Sequence, residues 1–427
     1  MRTIIHDVSL LDDTGLDYEG YVTIDGRTIT SVGRGQCQEP PTSFDMRIDG
    51  KNRLLLPGFI NAHGHAAMSL LRGFADDIAL ETWLSQKIWP AESRLTPPDI
   101  KIGTQLAMLE MIETGTTTFT DMYFAMDQVA EAVEEGGMRA VLGRGLVGLT
   151  PSGEQALQET RDFARAYHRS AEGRITVNVA PHAPYTCLPD FMHKVLALTE
   201  ELALPIQIHV SETAKEVADC IETYGATPVA HLAQLGVFAY PTLAAHCVHV
   251  NQTDIEILRA HDVHIAHNPG SNLKLGSGVA PLPQFLASGL IVGLGTDGAA
   301  SNNKLDMWEE MRLAALLHKG VQEDATLVSA ATAFALVTSQ GAKALFLEQG
   351  LGHIEVGAPA DIQLIDISGP RYFPRHNLLA HIVYSSCAMD VTDVFVDGKL
   401  LYRNRTFLTL DRERIVAEAS AIGARLG

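Results

Sequence analysis

Apolar and polar positions along the chain follow one dominant rhythm. Short runs rich in Val, Ile, Leu and Thr recur, and each is nearly continuous in apolar residues until its last positions. Parallel strands buried on both faces have this character. The runs read LLLPGFINAH, TTTFTDMYF, AVLGRGLV, ITVNVAPHA, PIQIHVSE, TLAAHCVHV, VHIAHNPG and LIVGLGTDG. Longer segments between them, such as TPPDIKIGTQLAMLEMIETG and LPDFMHKVLALTEELAL, space their apolar residues as amphipathic helices do. Eight strand-like runs alternating with helices predict an α/β fold, a (β/α)8 TIM-like barrel.

The flanks carry a different pattern. YVTIDGRTITSVG near the start, and EVGAPADIQLID and VTDVFVDGKLLYRN near the end, are short strands punctuated by DG turns, which predict antiparallel hairpins. The expected organisation is a small β-sandwich domain built jointly from residues 1–56 and 355–427, beside a catalytic barrel over 57–354.

Composition narrows the partners. Hydrophobic residues make up 46% and charged residues 19% of 427, as in a globular protein with a substantial core. A formal charge of −19 argues against nucleic acid and against an anionic membrane surface as partners. Cys37, Cys187, Cys220, Cys247 and Cys387 are scattered and odd in number, so a disulfide framework is not expected and a cytoplasmic setting is. The first twenty residues carry acids where a signal peptide needs an apolar core, and no apolar run is long enough to span a bilayer.

The active site of such a barrel lies at the C-terminal ends of its strands. The final positions of the eight runs hold His63, His65, Asp121, Arg144, His182, His209, His246, His267 and Asp297. Histidines gathered at one end of so many strands are the principal chemical signal. An H-x-H pair by itself is weak, but strand residues two apart share a face, so His63 and His65 are expected to point inward together. With His209 and Asp297 they form a set of three imidazoles and a carboxylate suited to one divalent ion, Zn²⁺ first and Fe²⁺ second. The fourth run lacks the lysine that bridges two metals in many barrel hydrolases, which favours a single ion.

Glu212, three residues past His209, has two readings from the residues alone. It is either the acid/base that moves the proton of an activated water or a solvated glutamate favouring a helix N-terminus. His246 is either a group that orients water or a buried imidazole bonded to a carbonyl. His249, of opposite parity on the same run, is expected to face away. GLGTDG at 293–298 matches a dinucleotide-loop pattern but comes late, with no acid about 20 residues beyond at a strand end. Its glycines are read as permitting close backbone approach near Asp297.

PGFINAHGHAAMSLLRG, WLSQKIWPAESRL, APHAPYTC, IQIHVSET, AAHCVHV, HNPGSNLKLGSG and VGLGTDGAASNN together resemble the amidohydrolase superfamily, and within it the 5-methylthioadenosine/S-adenosylhomocysteine deaminases. The resemblance covers most of the chain. It implies metal binding by His63, His65, His209 and Asp297, a proton shuttle at Glu212, and catalytic roles for His246 and Asp297. It also implies substrate contacts from Glu92, Arg144, His182, Glu212 and Asp297, with Trp83 and Trp89 walling in the purine. From the residues alone those tryptophans could equally be loop packing. The implied reaction is hydrolytic deamination of an adenosine-type nucleoside, with water as co-substrate and a homo-oligomer as the expected assembly. Guanine deamination or triazine dechlorination on the same scaffold is the alternative. Where some members carry a second arginine against an amino-acid tail, this chain reads SGEQALQE, leaving Arg161 and Arg165 as candidate substitutes.

Overall fold

The computed structural model describes residues 1–11, 15–149, 152–347 and 350–427. Eight parallel strands form the barrel: Phe59–Asn61, Thr116–Tyr123, Arg139–Leu146, the split pair Ile175–Val177 and Ala180–Pro181, Ile206–Val210, Thr242–His246, His264–His267 and Val292–Leu294. All residues of the second, fifth and sixth are buried. That is why these runs show no alternation.

Hydrogen bonding divides the strands into two arcs, the first four and the last four. Backbone bonds span both junctions. Val179 N donates to Pro205 O at 2.8 Å and Gln207 N to Val179 O at 3.0 Å, joining the fourth strand to the fifth. Ala62 N donates to Leu294 O at 2.8 Å and Asp297 N to His63 O at 3.0 Å, joining the first to the eighth. At the latter junction a Cβ on Gly295 would lie 2.7 Å from the His63 Cβ, and one on Gly293 would lie 2.9 Å from the Ala62 Cβ. The glycines of GLGTDG therefore serve close approach of two strands.

The run LLLPGFINAH spans two elements. Arg53–Pro57 pairs with strands from both chain ends, and the barrel strand begins only at Phe59. The flanking strands make one nine-stranded sheet. Its order runs from Thr406–Phe407 through Lys399–Arg403, Val391–Val396, Ile362–Asp366, Arg53–Pro57, Arg2–Leu11 and Asp17–Asp25 to Thr28–Arg34, with Met46–Asp49 beside Arg2–Leu11. Both DG turns join antiparallel neighbours. Ile5, Val22, Ile29, Leu55, Leu364 and Phe395, drawn from strands across this sheet, share one separate core.

Arg139, opening the third barrel strand, ties the sheet to the barrel through Asp361 at 2.8 Å and Asp397 at 3.2 Å. The C-terminal helix Arg412–Leu426 packs on the barrel helix Pro97–Glu113, which a Thr96/Asp99 capping box starts. All five cysteines are free thiols. Among the described residues no helix is long and apolar enough to cross a membrane.

Candidate active site

His209 is the fourth residue of the fifth strand and His246 the last of the sixth, whereas His63, His65 and Asp297 all lie beyond their strand ends. The strand-parity reasoning for His63 and His65 therefore does not apply. A bend after Asn61 brings the two rings together instead, centroids 5.0 Å apart and nearly perpendicular. His246 has φ +72° and Asp297 φ +63°, left-handed values that non-glycine residues adopt under constraint and that concentrate at functional sites.

The imidazole nitrogens of His63, His65 and His209 fall within 4.8 Å of one another, and so do candidate donor atoms of His63, His246 and Asp297. Asp297 Oδ1 lies 3.3 Å from His65 Nε2 and 3.6 Å from His63 Nε2. Nε2 of His63 is wholly buried and has no hydrogen-bond partner among the described residues. A buried orphan nitrogen facing a carboxylate and two further imidazoles fits a divalent cation. Burial and the neighbouring imidazoles hold His209 well below its ordinary pKa, and burial does the same to His63 against the pull of Asp297. Both rings are therefore kept neutral, the form that ligates. Burial would raise the Asp297 carboxyl, but His65 and His246, with the Ser271 hydrogen bond, outweigh it and lower the group.

The outer contacts orient these groups. Nδ1 of His65 meets Met122 O at 2.7 Å, and Nδ1 of His209 meets His182 O at 2.7 Å. The Gln207 amide reaches His63 Nδ1 at 3.1 Å. Ser271 and Ser301 donate to Asp297 Oδ2 at 2.6 and 2.8 Å.

Glu212 is 7% exposed, so the solvated reading does not hold. Helix Ala214–Tyr224 starts two residues later, capped by Thr213. Glu212 Oε2 is 3.9 Å from His246 Nε2. Burial raises the Glu212 carboxyl, while Glu212 and Asp297 together raise His246 against its own burial. Glu216 holds the turn by accepting the backbone N–H groups of Ser211 at 2.9 Å and Glu212 at 2.7 Å. Nδ1 of His246 contacts Asn272 Oδ1 at 2.9 Å.

A cavity of about 250 Å³ opens above this cluster, and Glu92, Arg144, His182, Trp83 and Trp89 all line it. Trp83 is buried with its indole N–H on Ala75 O at 2.9 Å, whereas Trp89 is half exposed. Glu92 accepts from Tyr123 Oη at 2.6 Å. Arg144 is paired with Glu159 at 3.0 Å. Arg161 and Arg165 sit outside the cavity lining, both bonded to Glu201. Among the strand-end residues, Asp121 is buried beneath the site and accepts Ala66 N at 3.1 Å. His267 lies outside the lining, facing His318 with ring centroids 6.2 Å apart. His249 has left the strand and bonds Ser277 O at 2.6 Å.

The family model of the amidohydrolases matches residues 54–401. The chain belongs to the amidohydrolase family. This amidohydrolase is 48% identical over 430 residues to the 5-methylthioadenosine/S-adenosylhomocysteine deaminase of Syntrophomonas wolfei, with 100% of this chain and 99% of that protein covered. It is 49% identical over 416 residues to the protein of the same name from Pelotomaculum thermopropionicum, covering 96% and 95%. Among solved structures, a zinc-bound adenosine deaminase from Xanthomonas campestris superposes with a TM-score of 0.92 at 33% identity, over 99% of this chain and 98% of that one.

Gln207, Glu216, Ser271, Asn272, Ser301 and Tyr123 are functional neighbours that the sequence pattern does not single out. Gln207 alone has a readable signal, because it stands two residues before His209 on the same strand face. Glu216, Ser271, Asn272 and Ser301 come from helices that follow the strands and Tyr123 from the second strand, so spacing does not announce them.

Proposed function

We propose that this amidohydrolase deaminates an adenosine-type nucleoside hydrolytically, replacing the 6-amino group with a 6-oxo group and releasing ammonia. The observation that carries the reading is Glu212. It is a buried carboxyl, raised by that burial, 3.9 Å from His246 and next to the His63–His65–His209–Asp297 cluster. The names of the relatives support 5′-methylthioadenosine, S-adenosylhomocysteine and adenosine as the substrate class.

His63, His65, His209 and Asp297 would hold one divalent ion, and the zinc in the Xanthomonas relative favours Zn²⁺ over Fe²⁺. When bound, such an ion lowers the pKa of water from 15.7 towards about 7, supplying a nucleophile at neutral pH. Asp297 and His246 take up and direct the proton of the water that attacks C6. Glu212, arriving protonated, donates to N1, so the ring accepts the electron pair without becoming a bare anion. Glu212, now ionised, passes the proton held by Asp297 and His246 to the amino group. The C6–N bond breaks with loss of ammonia, and the C6 hydroxyl returns its proton to Glu212 as the 6-oxo group forms. Glu92 faces the ribose, where its carboxylate accepts hydroxyl protons. His182 and Arg144 contact the substrate, and Trp83 and Trp89 exclude water from the purine, which strengthens every charge inside.

The test is ammonia release from 5′-methylthioadenosine, S-adenosylhomocysteine, adenosine and guanine by the metal-loaded protein, with Glu212→Gln alongside. Release from the adenosine-type substrates is expected, with turnover lost in the variant. Turnover of guanine alone, or near-normal turnover by a metal-replete Glu212→Gln protein, overturns the reading.

A further inference from the structure

Tyr123 closes the second barrel strand, 6% exposed, and lines the cavity beside Glu92. Glu92 belongs to a different stretch of the chain. It ends the excursion Leu80–Glu92 that follows the first strand, a segment broken by a π-turn over Leu84–Ile88. The Tyr123 hydroxyl donates to Glu92 Oε1 at 2.6 Å, and among the described residues it is the one hydrogen-bond partner of that carboxylate. Phe124 stacks on the Tyr123 ring at 4.3 Å between centroids and limits its swing. Burial raises both groups, the tyrosine far beyond neutrality, so the hydroxyl stays protonated and the direction of donation is fixed.

We propose that Tyr123 is a positioning residue that holds Glu92 in register and thereby makes the site selective for nucleosides with an intact 2′,3′-diol. The inference rests on the assignment of Glu92 to the ribose. One carboxylate oxygen is pinned, which fixes the carboxylate plane. Oε2 and the remaining lone pair of Oε1 stay available for two neighbouring hydroxyls. An unpinned carboxylate at the end of an irregular excursion would have to be ordered on each binding event, at a cost in affinity.

The experiment compares adenosine with 2′,3′-dideoxyadenosine in metal-loaded wild type, Tyr123→Phe, Glu92→Gln and the double variant, with metal content measured for each. The wild type is expected to favour adenosine, and Tyr123→Phe to lower kcat/KM for adenosine by about tenfold, mainly through KM, as loss of a hydrogen bond to a charged group predicts. Dideoxyadenosine should change less than about twofold on the same reasoning. Tyr123→Phe should add nothing in the Glu92→Gln background. Equal losses on both nucleosides, an unchanged ratio, or additive effects in the double variant overturn the proposal. Should Tyr123→Phe not fold, an adenosine preference unaffected by Glu92→Gln overturns it, and a lost preference supports it. A wild type inactive on both nucleosides and also on 5′-methylthioadenosine and S-adenosylhomocysteine overturns the deaminase reading itself.

Discussion

His209 Nδ1 donates to the backbone carbonyl oxygen of His182 at 2.7 Å. A carbonyl only accepts, so Nδ1 carries the proton and Nε2 keeps its lone pair for the ligand cluster. Met122 O does the same for His65. Two of the three imidazoles are thus oriented by main chain, which side-chain substitution leaves in place. His182→Ala should therefore retain a full equivalent of metal while losing about tenfold or more in kcat/KM, because its ring lines the cavity and is proposed to meet the substrate. Metal analysis beside steady-state kinetics separates the two roles, and a variant purified without metal would show that the ring itself supports the cluster.

The third imidazole depends on a side chain. The Gln207 amide contacts His63 Nδ1 and is itself held by Thr120 Oγ1 and Asn178 Nδ2, each at 2.9 Å. For His63 Nε2 to ligate, Nδ1 must carry the proton and the Gln207 carboxamide must present its oxygen to it. Gln207→Leu removes that acceptor and should weaken metal affinity by about 10–100-fold, as outer-shell losses do. Competition with a chelator of known affinity measures it. Unchanged affinity would mean that packing alone orients His63.

Metal removal should be felt in stability. Without an ion, His63 Nε2 is left buried and unpartnered. Chelated protein should melt a few degrees lower, and titrated Zn²⁺ should restore the loss by mass action, worth about 2.7 kcal/mol at one hundred times Kd. Calorimetry with and without chelator checks this, and identical transitions would argue against a bound ion.

Arg139 joins barrel to sheet from a buried position, against Asp361 and Asp397. Arg139→Met leaves the buried Asp361 carboxylate without its Arg139 ion pair, while Arg27 still pairs with Asp397 at 2.6 Å, and should cost about 3–5 kcal/mol. The site lies at the opposite end of the strands, so kcat/KM per folded molecule should hold. Denaturant unfolding and active-site titration read the two quantities.

Arg144 is the one arginine or lysine among the described cavity-lining residues, and Glu159 already pairs with it. Glu159→Gln should free the guanidinium and raise kcat/KM for S-adenosylhomocysteine, which carries a carboxylate, relative to 5′-methylthioadenosine. A severalfold change is expected, in line with a partly exposed pair worth about 0.2–1 kcal/mol. An unmoved ratio would place the substrate tail elsewhere.

Eight strands and two DG hairpins were legible along the chain because burial on both faces, or a turn that needs positive φ, imposes a residue type locally. Most of the chemical residues were legible too, since histidines and acids at the ends of apolar runs have few structural reasons to be there. Spacing misled where a backbone departs from its element. His63, His65 and Asp297 are past their strands, the break at Pro57 and Gly58 divides a single apolar run between two sheets, and His267 ends a strand yet turns away from the cavity. Only the tertiary structure decided that Gln207 would reach His63 across 144 positions of the barrel and that Arg139 would meet Asp361, beside the flanking sheet, across 222. Apolar periodicity records whether a position is buried. A hydrogen bond between distant residues depends on distance and direction, and those exist only once the strands have taken their places around the ring.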